Sequence, residues 1–249
     1  MIKLNRLEPP KELTDKLVKQ LTEEFQNSKN SVWSKNYIKR QLLLMTNNKC
    51  AYCEAPLDIS GSYMEVEHFL PKNKYPEKVV EWTNLLPSCK RCNVKKGAID
   101  PKTFEIIDPS INNPKEHLSL KRYRIVGKDI IGKHTVSLLN LNDLTKLVMN
   151  RAQIGEVLSE KLGNLEDEVH QSVEGKINTS RSMKIRNTMM SLLQEVQRSN
   201  SYSATLSSVL ISDPSYSQIK SFLDENNLWD EDLQELELKA REISLEIVV

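Results

Sequence analysis

Apolar positions recur at helical spacing along the first fifty residues. After the Pro9-Pro10 pair, Leu13, Leu17, Leu21 and Phe25 stand four apart, the stripe of an amphipathic helix. Trp33, Tyr37, Gln41 and Leu44 mark a second helix, closed by the polar run Thr46-Asn47-Asn48-Lys49. From Cys50 to about Asp108 the pattern breaks into short apolar pieces, prolines and loops, and Tyr63 to Glu67 alternates as a short strand does. Arg122 to Val126 and Asp129 to Gly132, joined near Gly127-Lys128, predict a hairpin.

Beyond Gly132 the periodicity is helical almost to the end. Leu138, Leu141, Leu144, Leu147 and Val148 open one helix, and Met183 to Val196 mark another. Ser212-Asp213-Pro214 reads as a helix start, a capping side chain followed by proline in the first turn. In the last helix Leu233, Leu236, Ala240, Ile243 and Ile247 alternate at intervals of three and four, a seam that packs within the chain or against another.

Composition narrows the class. A charged fraction of 28% and a hydrophobic fraction of 39% fit a globular protein, and 6% aromatics with seven glycines favour helix over an extensive β-sandwich. No stretch reaches the ~18 apolar residues of a membrane span. The start, MIKLNRLEPPKEL, has no apolar h-region, so the expected compartment is the cytoplasm. The net charge of +1 is unevenly spread. From Phe222 to Val249 nine acidic residues face only Lys239 and Arg241, a net −7, which leaves +8 on the rest. A basic body suits a polyanion, although a solvated acidic face explains the tail equally well.

All four cysteines fall in two pairs, Cys50-x-x-Cys53 and Cys89-x-x-Cys92. Each turn aims two sulfurs at one centre, so together they predict a closed tetrahedral four-cysteine site for structural Zn²⁺, with no position left for water or substrate. A cytoplasmic setting disfavours disulfides, and a redox role needs only one pair.

Between the pairs, and within and just after the second, lies a further set of candidates. Glu67 offers a hard carboxylate suited to Mg²⁺ or Mn²⁺, and Asn93 a neutral oxygen ligand. His68 is placed to take a proton from water, and Asn84 to orient the imidazole. Lys90, Arg91, Lys95 and Lys96 surround the second cysteine pair as nucleic-acid phosphate contacts would, or as a solvated face. Glu65 and Asp108 rank below this set, and His117, His134 and His170 read as structural or surface residues.

Cys50-x-x-Cys53, Glu67-His68, Trp82-Thr-Asn84-Leu-Leu-Pro-Ser-Cys89-x-x-Cys92-Asn93 and Lys96-Gly97 resemble the HNH nucleases of the ββα-metal fold, in their zinc-stapled form. The resemblance covers about fifty residues. It implies that His68 is the general base, that Glu67 and Asn93 bind the catalytic divalent ion, and that Asn84 positions the loop. Glu67 stands where aspartate is usual and Asn93 where a second histidine is usual. Both keep an oxygen ligand, and both bear on which metal is preferred.

A narrower likeness lies in IKLNRLEPP, in Ile106 to Leu118, and in Gly132 to Asn142 with Arg151 downstream. These segments resemble the PtuB family, HNH subunits of Septu anti-phage systems that also occur with some retrons. The likeness implies a partner ATPase of the ABC/SMC type (PtuA-like) and, in a retron setting, a reverse transcriptase with its msDNA. The expected architecture is α+β and mostly helical. It comprises an N-terminal helical region at 1–49, the zinc-stapled HNH module with its hairpin at 50–135, and a C-terminal helical region at 136–249 where a partner would dock. The expected reaction is hydrolysis of DNA, with cellular RNA such as tRNA as the alternative substrate. A zinc adaptor without chemistry is the reading from another class.

Overall fold

The computed structural model describes residues 1–57, 64–174 and 179–248, and the chain divides into two units. One comprises Met1–His117 with Val126–Asn142, the other Leu118–Ile125 with Asp143–Val249. The architecture is α+β, mostly helical, with two small sheets.

In the first unit, helices α1 (Asp15–Ser28) and α2 (Asn36–Thr46) follow the expected stripes, with Leu21, Phe25, Ile38 and Leu42 buried. Thr14 caps α1 by accepting from the Leu17 amide, and Asn47 ends α2 in the left-handed conformation that asparagine tolerates. Strand β1 (Met64–His68) runs antiparallel to β2 (Leu85–Cys89), with Glu67 opposite Leu86 and His68 opposite Leu85. Tyr63, where the strand pattern was expected to begin, lies outside the described residues. Helix α3 (Lys90–Lys96) leaves β2 directly and packs on both strands, completing a ββα unit. It stops at Gly97, whose φ of +50° and ψ of −127° lie outside what a side chain readily allows.

The N-terminal segment braces this unit. Arg6 donates to the carbonyls of Trp82 (2.7 Å) and Leu85 (3.1 Å), and the Trp82 indole donates to the Leu7 carbonyl (2.7 Å). Asp108 accepts from the backbone amide and hydroxyl of Ser110, so it closes its own turn.

The hairpin falls one strand earlier than expected. A single helical turn, α4 (Pro114–His117), leads into β3 (Leu118–Lys121) and then β4 (Arg124–Gly127). Arg122 and Tyr123 turn the chain at φ +46° and +64°, the conformation of a two-residue hairpin loop without its usual glycine or asparagine. Asp129 to Gly132 is not a strand. Asp129 caps α5 (Ile130–Leu138) by accepting from the Gly132 amide at 2.8 Å, and its other oxygen meets His117 Nδ1 at 2.6 Å.

Nor do Leu138 to Val148 open one helix. Asn140 adopts a left-handed φ of +47° after α5, and a wide turn over Leu144–Val148, capped by Asp143, starts α6 (Met149–Glu174). In the second unit α6 packs against α7 (Thr179–Glu195), α8 (Ser203–Ser212) and α9 (Pro214–Glu225), the last with Asp213 as cap and proline in its first turn. Leu158, Leu162 and Leu165 of α6 meet Ile185, Met189, Leu210, Ile219 and Leu223 in one core.

Helix α10 (Glu231–Ile243) adds Leu233 and Ala240 to that core and buries Ile243, so the seam packs within the chain. It ends before Ile247. Ser244 turns extended, and β5 (Glu246–Ile247) pairs in parallel with β3 instead. Much of the acidic tail is matched internally: Asp230 with Arg186, Glu237 with Lys220 and Arg241, Glu242 with Arg198. No described helix is long and apolar enough to cross a membrane.

Candidate active site

The cysteine turns meet as their spacing requires. All four sulfurs lie within 4.8 Å of one another, with Cys53 and Cys89 Sγ 3.7 Å apart. Bonds of ~2.3 Å to a tetrahedral zinc ion put ligand sulfurs roughly 3.8 Å apart, so this donor set fits Zn²⁺. None of the four is in a disulfide. The first turn is tied to the sheet by the Ala51 amide on the Pro87 carbonyl, and Cys89 Sγ accepts from the Cys92 amide as the cap of α3. Arg91 places Nη2 3.1 Å from Cys92 Sγ and Nη1 on the carbonyls of Leu139 and Asn140. A guanidinium there offsets thiolate charge and leaves Arg91 spoken for.

The four-cysteine cluster thus joins the end of β2 to the turn before β1, which brings α3 beside the end of β1. Glu67, His68 and Asn93 open into one cleft of ≈ 160 Å³, with Pro71, Lys72, Asn73, Gly97 and Ala98 as its other walls.

His68 is 5% exposed. Its Nε2 lies 2.8 Å from the Val79 carbonyl, which can only accept, so the neutral ring carries its lone pair on Nδ1. Burial pushes the imidazole down to about 4, against the bond to Val79, which favours protonation. The Trp33 and His68 rings pack nearly perpendicular, with centroids 4.9 Å apart. Asn84 spans the intervening loop. Its Oδ1 accepts from the Leu70 amide (2.7 Å), and its Nδ2 donates to the carbonyls of Leu70 (3.1 Å) and Lys78 (3.0 Å).

Glu67 is 2% exposed, and burial pushes its carboxyl up to about 7 although Lys96 stands beside it. Lys96 Nζ is 2.8 Å from Oε1, a buried ion pair that favours the charged carboxylate against its desolvation. Glu67 also lines the polar cleft, where a carboxylate suits a divalent cation. Asn93 gives its Nδ2 to Glu65, which leaves Oδ1 as the remaining polar atom of its side chain.

The basic run disperses. Lys90 and Lys95 are exposed on α3, and Arg91 is held at the thiolates. Lys96 is wholly buried, donating to the His68 carbonyl at 2.7 Å, so the phosphate contact expected of it is closed to its ammonium. Two cleft residues, Lys72 and Asn73, were not among the sequence candidates, nor was Trp33. The motif PKNKYP carries lysine in a loop, but nothing local says which lysine faces the histidine. His134 and His170 lie elsewhere, on the Glu105 carbonyl and beside Glu166.

Comparison with known proteins agrees with this geometry. A family model described as HNH endonuclease matches residues 50–98. Septu protein PtuB of Bacillus thuringiensis is 44% identical over 238 residues, covering 95% of this chain and 92% of the relative. Septu protein PtuB of Bacillus mycoides (strain KBAB4) is 32% identical over 119 residues, 36% of this chain and 40% of the relative. Protein ea31 of Escherichia phage lambda is 41% identical over 59 residues, covering 23% and 19% respectively. An identity of 44% along almost the full length means that the chain belongs to the PtuB family of Septu proteins, and its HNH endonuclease domain makes it a phosphodiester hydrolase.

Proposed function

We propose that the chain is the effector nuclease of a Septu-type anti-phage complex, cutting DNA in company with a PtuA-like ABC/SMC ATPase. The observation that carries this reading is the single cleft onto which Glu67, His68 and Asn93 all open. His68 Nδ1 takes the proton from an attacking water, and the Val79 carbonyl holds the ring in that tautomer. The Glu67 carboxylate and Asn93 Oδ1 would hold a hard divalent ion, Mg²⁺ or Mn²⁺, which would supply charge neutralisation at the scissile phosphate and leaving oxygen. Asn84 keeps the loop between His68 and Val79 in register. Lys90 and Lys95, exposed on α3, supply longer-range attraction for the phosphate backbone. The zinc ion of the four cysteines holds the two halves of the module together and takes no part in the reaction.

The experiment is nicking of plasmid DNA, with a structured RNA in parallel, by the chain alone and with its ATPase. Mg²⁺ or Mn²⁺ is added in one arm and EDTA in the other. Cation-dependent cutting of the DNA, abolished in His68→Ala at unchanged zinc content, is the expected result. Cutting of RNA alone would replace the substrate. A His68→Ala variant that cuts at the parental rate would overturn the assignment of the base.

A further inference from the structure

Lys72 is the one lysine or arginine among the residues that line the cleft. Its Nζ stands 4.8 Å from the centroid of Trp33, the same indole that packs perpendicular to His68. The cations around it are committed. Lys96 is buried against Glu67, Lys74 is 2.5 Å from Asp100, and Lys102 lies over Tyr75. Lys72 has no ion pair and no hydrogen bond among the described residues. An ammonium held over an aromatic face is confined in position while its N–H donors stay available. A cation confined beside a general base, at a polar cleft, is arranged for an anion at that point.

We propose that Lys72 binds the scissile phosphate of the nucleic-acid substrate, donating to a non-bridging oxygen while the Trp33 indole holds its ammonium in place. This rests on the nuclease reading of the cleft. It separates two kinds of positive charge on the module: Lys90 and Lys95, exposed on α3 and suited to general attraction, and Lys72 at the reacting centre.

The test compares Lys72→Ala and Lys72→Arg. The full chain carrying His68→Ala, with no added divalent ion, is titrated with a fluorescent duplex and a fluorescent single-stranded DNA over a range of salt. Each phosphate contact contributes about 0.9 to the slope of log K against log salt on duplex, and about 0.7 on single strands. Lys72→Ala should lose about one contact's worth of slope, and Lys72→Arg should keep it. In the otherwise parental chain with Mn²⁺ and the ATPase, single-turnover cleavage should fall about tenfold or more in Lys72→Ala and recover in large part in Lys72→Arg. A parental slope in Lys72→Ala, or a chain that binds neither DNA at the lowest salt, overturns the proposal. The nuclease reading is judged separately, by whether His68→Ala still cuts.

Discussion

Lys96 Nζ lies 2.8 Å from Glu67 Oε1, and neither side chain meets solvent, with exposures of 0% and 2%. A buried ion pair recovers its desolvation cost only while both partners are present. Here the ammonium also holds the His68 carbonyl, so one lysine steadies both residues at the end of β1. Lys96→Met should therefore lose about 3–5 kcal/mol of unfolding free energy. Glu67→Gln combined with Lys96→Met should recover most of that loss, because no lone charge remains. Urea unfolding of the two variants without added divalent ion checks this. Equal instability of the single and double variants would mean that Lys96 acts through packing and not charge.

The pH dependence follows from the same carboxylate. The Glu67 carboxyl, raised by burial from the ordinary 4.5 to about 7, binds its proton more tightly in the folded chain than in the unfolded one. Its contribution to the stability of the metal-free chain is thus complete below the ordinary value and is lost as pH rises through about 7. Cation binding runs the opposite way, since it needs the carboxylate. Affinity for Mn²⁺, followed by titration calorimetry, should weaken towards tenfold per pH unit below about 7 and level off above it. His68, held down to about 4, stays neutral across that range and should add no step of its own. A midpoint near the ordinary carboxylate value would contradict the burial argument.

The zinc clamp gives a third expectation. The segment it closes has short strands and few apolar residues between Leu70 and Trp82, so the metal carries much of its folding free energy. Purified chain should hold one zinc ion per molecule by elemental analysis. Cys53→Ser or Cys92→Ser should lose it, together with several kcal/mol of stability. Arg91→Ala should keep the ion, because the guanidinium touches the sulfur without being a ligand.

The meeting of the four cysteines was legible because it is local. Two Cys-x-x-Cys turns and a Glu-His step state their geometry within a few residues, and so did the caps at Asp213 and Gly97. What stayed hidden depends on distant parts of the chain. Trp33 reaches His68 from the turn before α2, and Lys72 is told from Lys74 only by Asp100. Lys96 looks like any basic residue on a short helix until its burial against Glu67 is seen. The misplaced hairpin has a backbone cause. Arg122 and Tyr123 occupy positive φ, where a sequence reader looks for glycine or asparagine, while Gly127-Lys128 offered the more familiar signal. Ile247 continued the apolar rhythm of α10 into what is an extended strand edge.

Asn84 links the loop to the base through one peptide. Its Nδ2 donates to the Lys78 carbonyl, and the next carbonyl, that of Val79, holds His68 Nε2. In Asn84→Asp an oxygen replaces the donor and faces the carbonyls of Leu70 and Lys78, which costs about 1–3 kcal/mol for the groups left unpaired. The loop should then shift, carrying the Val79 carbonyl away from the imidazole. The cleavage rate should fall at least about tenfold, in line with a general base out of alignment. Zinc content and Mn²⁺ affinity should hold, since neither the four cysteines nor Glu67 and Asn93 depend on that amide. Single-turnover kinetics beside Mn²⁺ titration separates the two effects. A rate that falls only in proportion to lost Mn²⁺ binding would place Asn84 with the metal and not with the base.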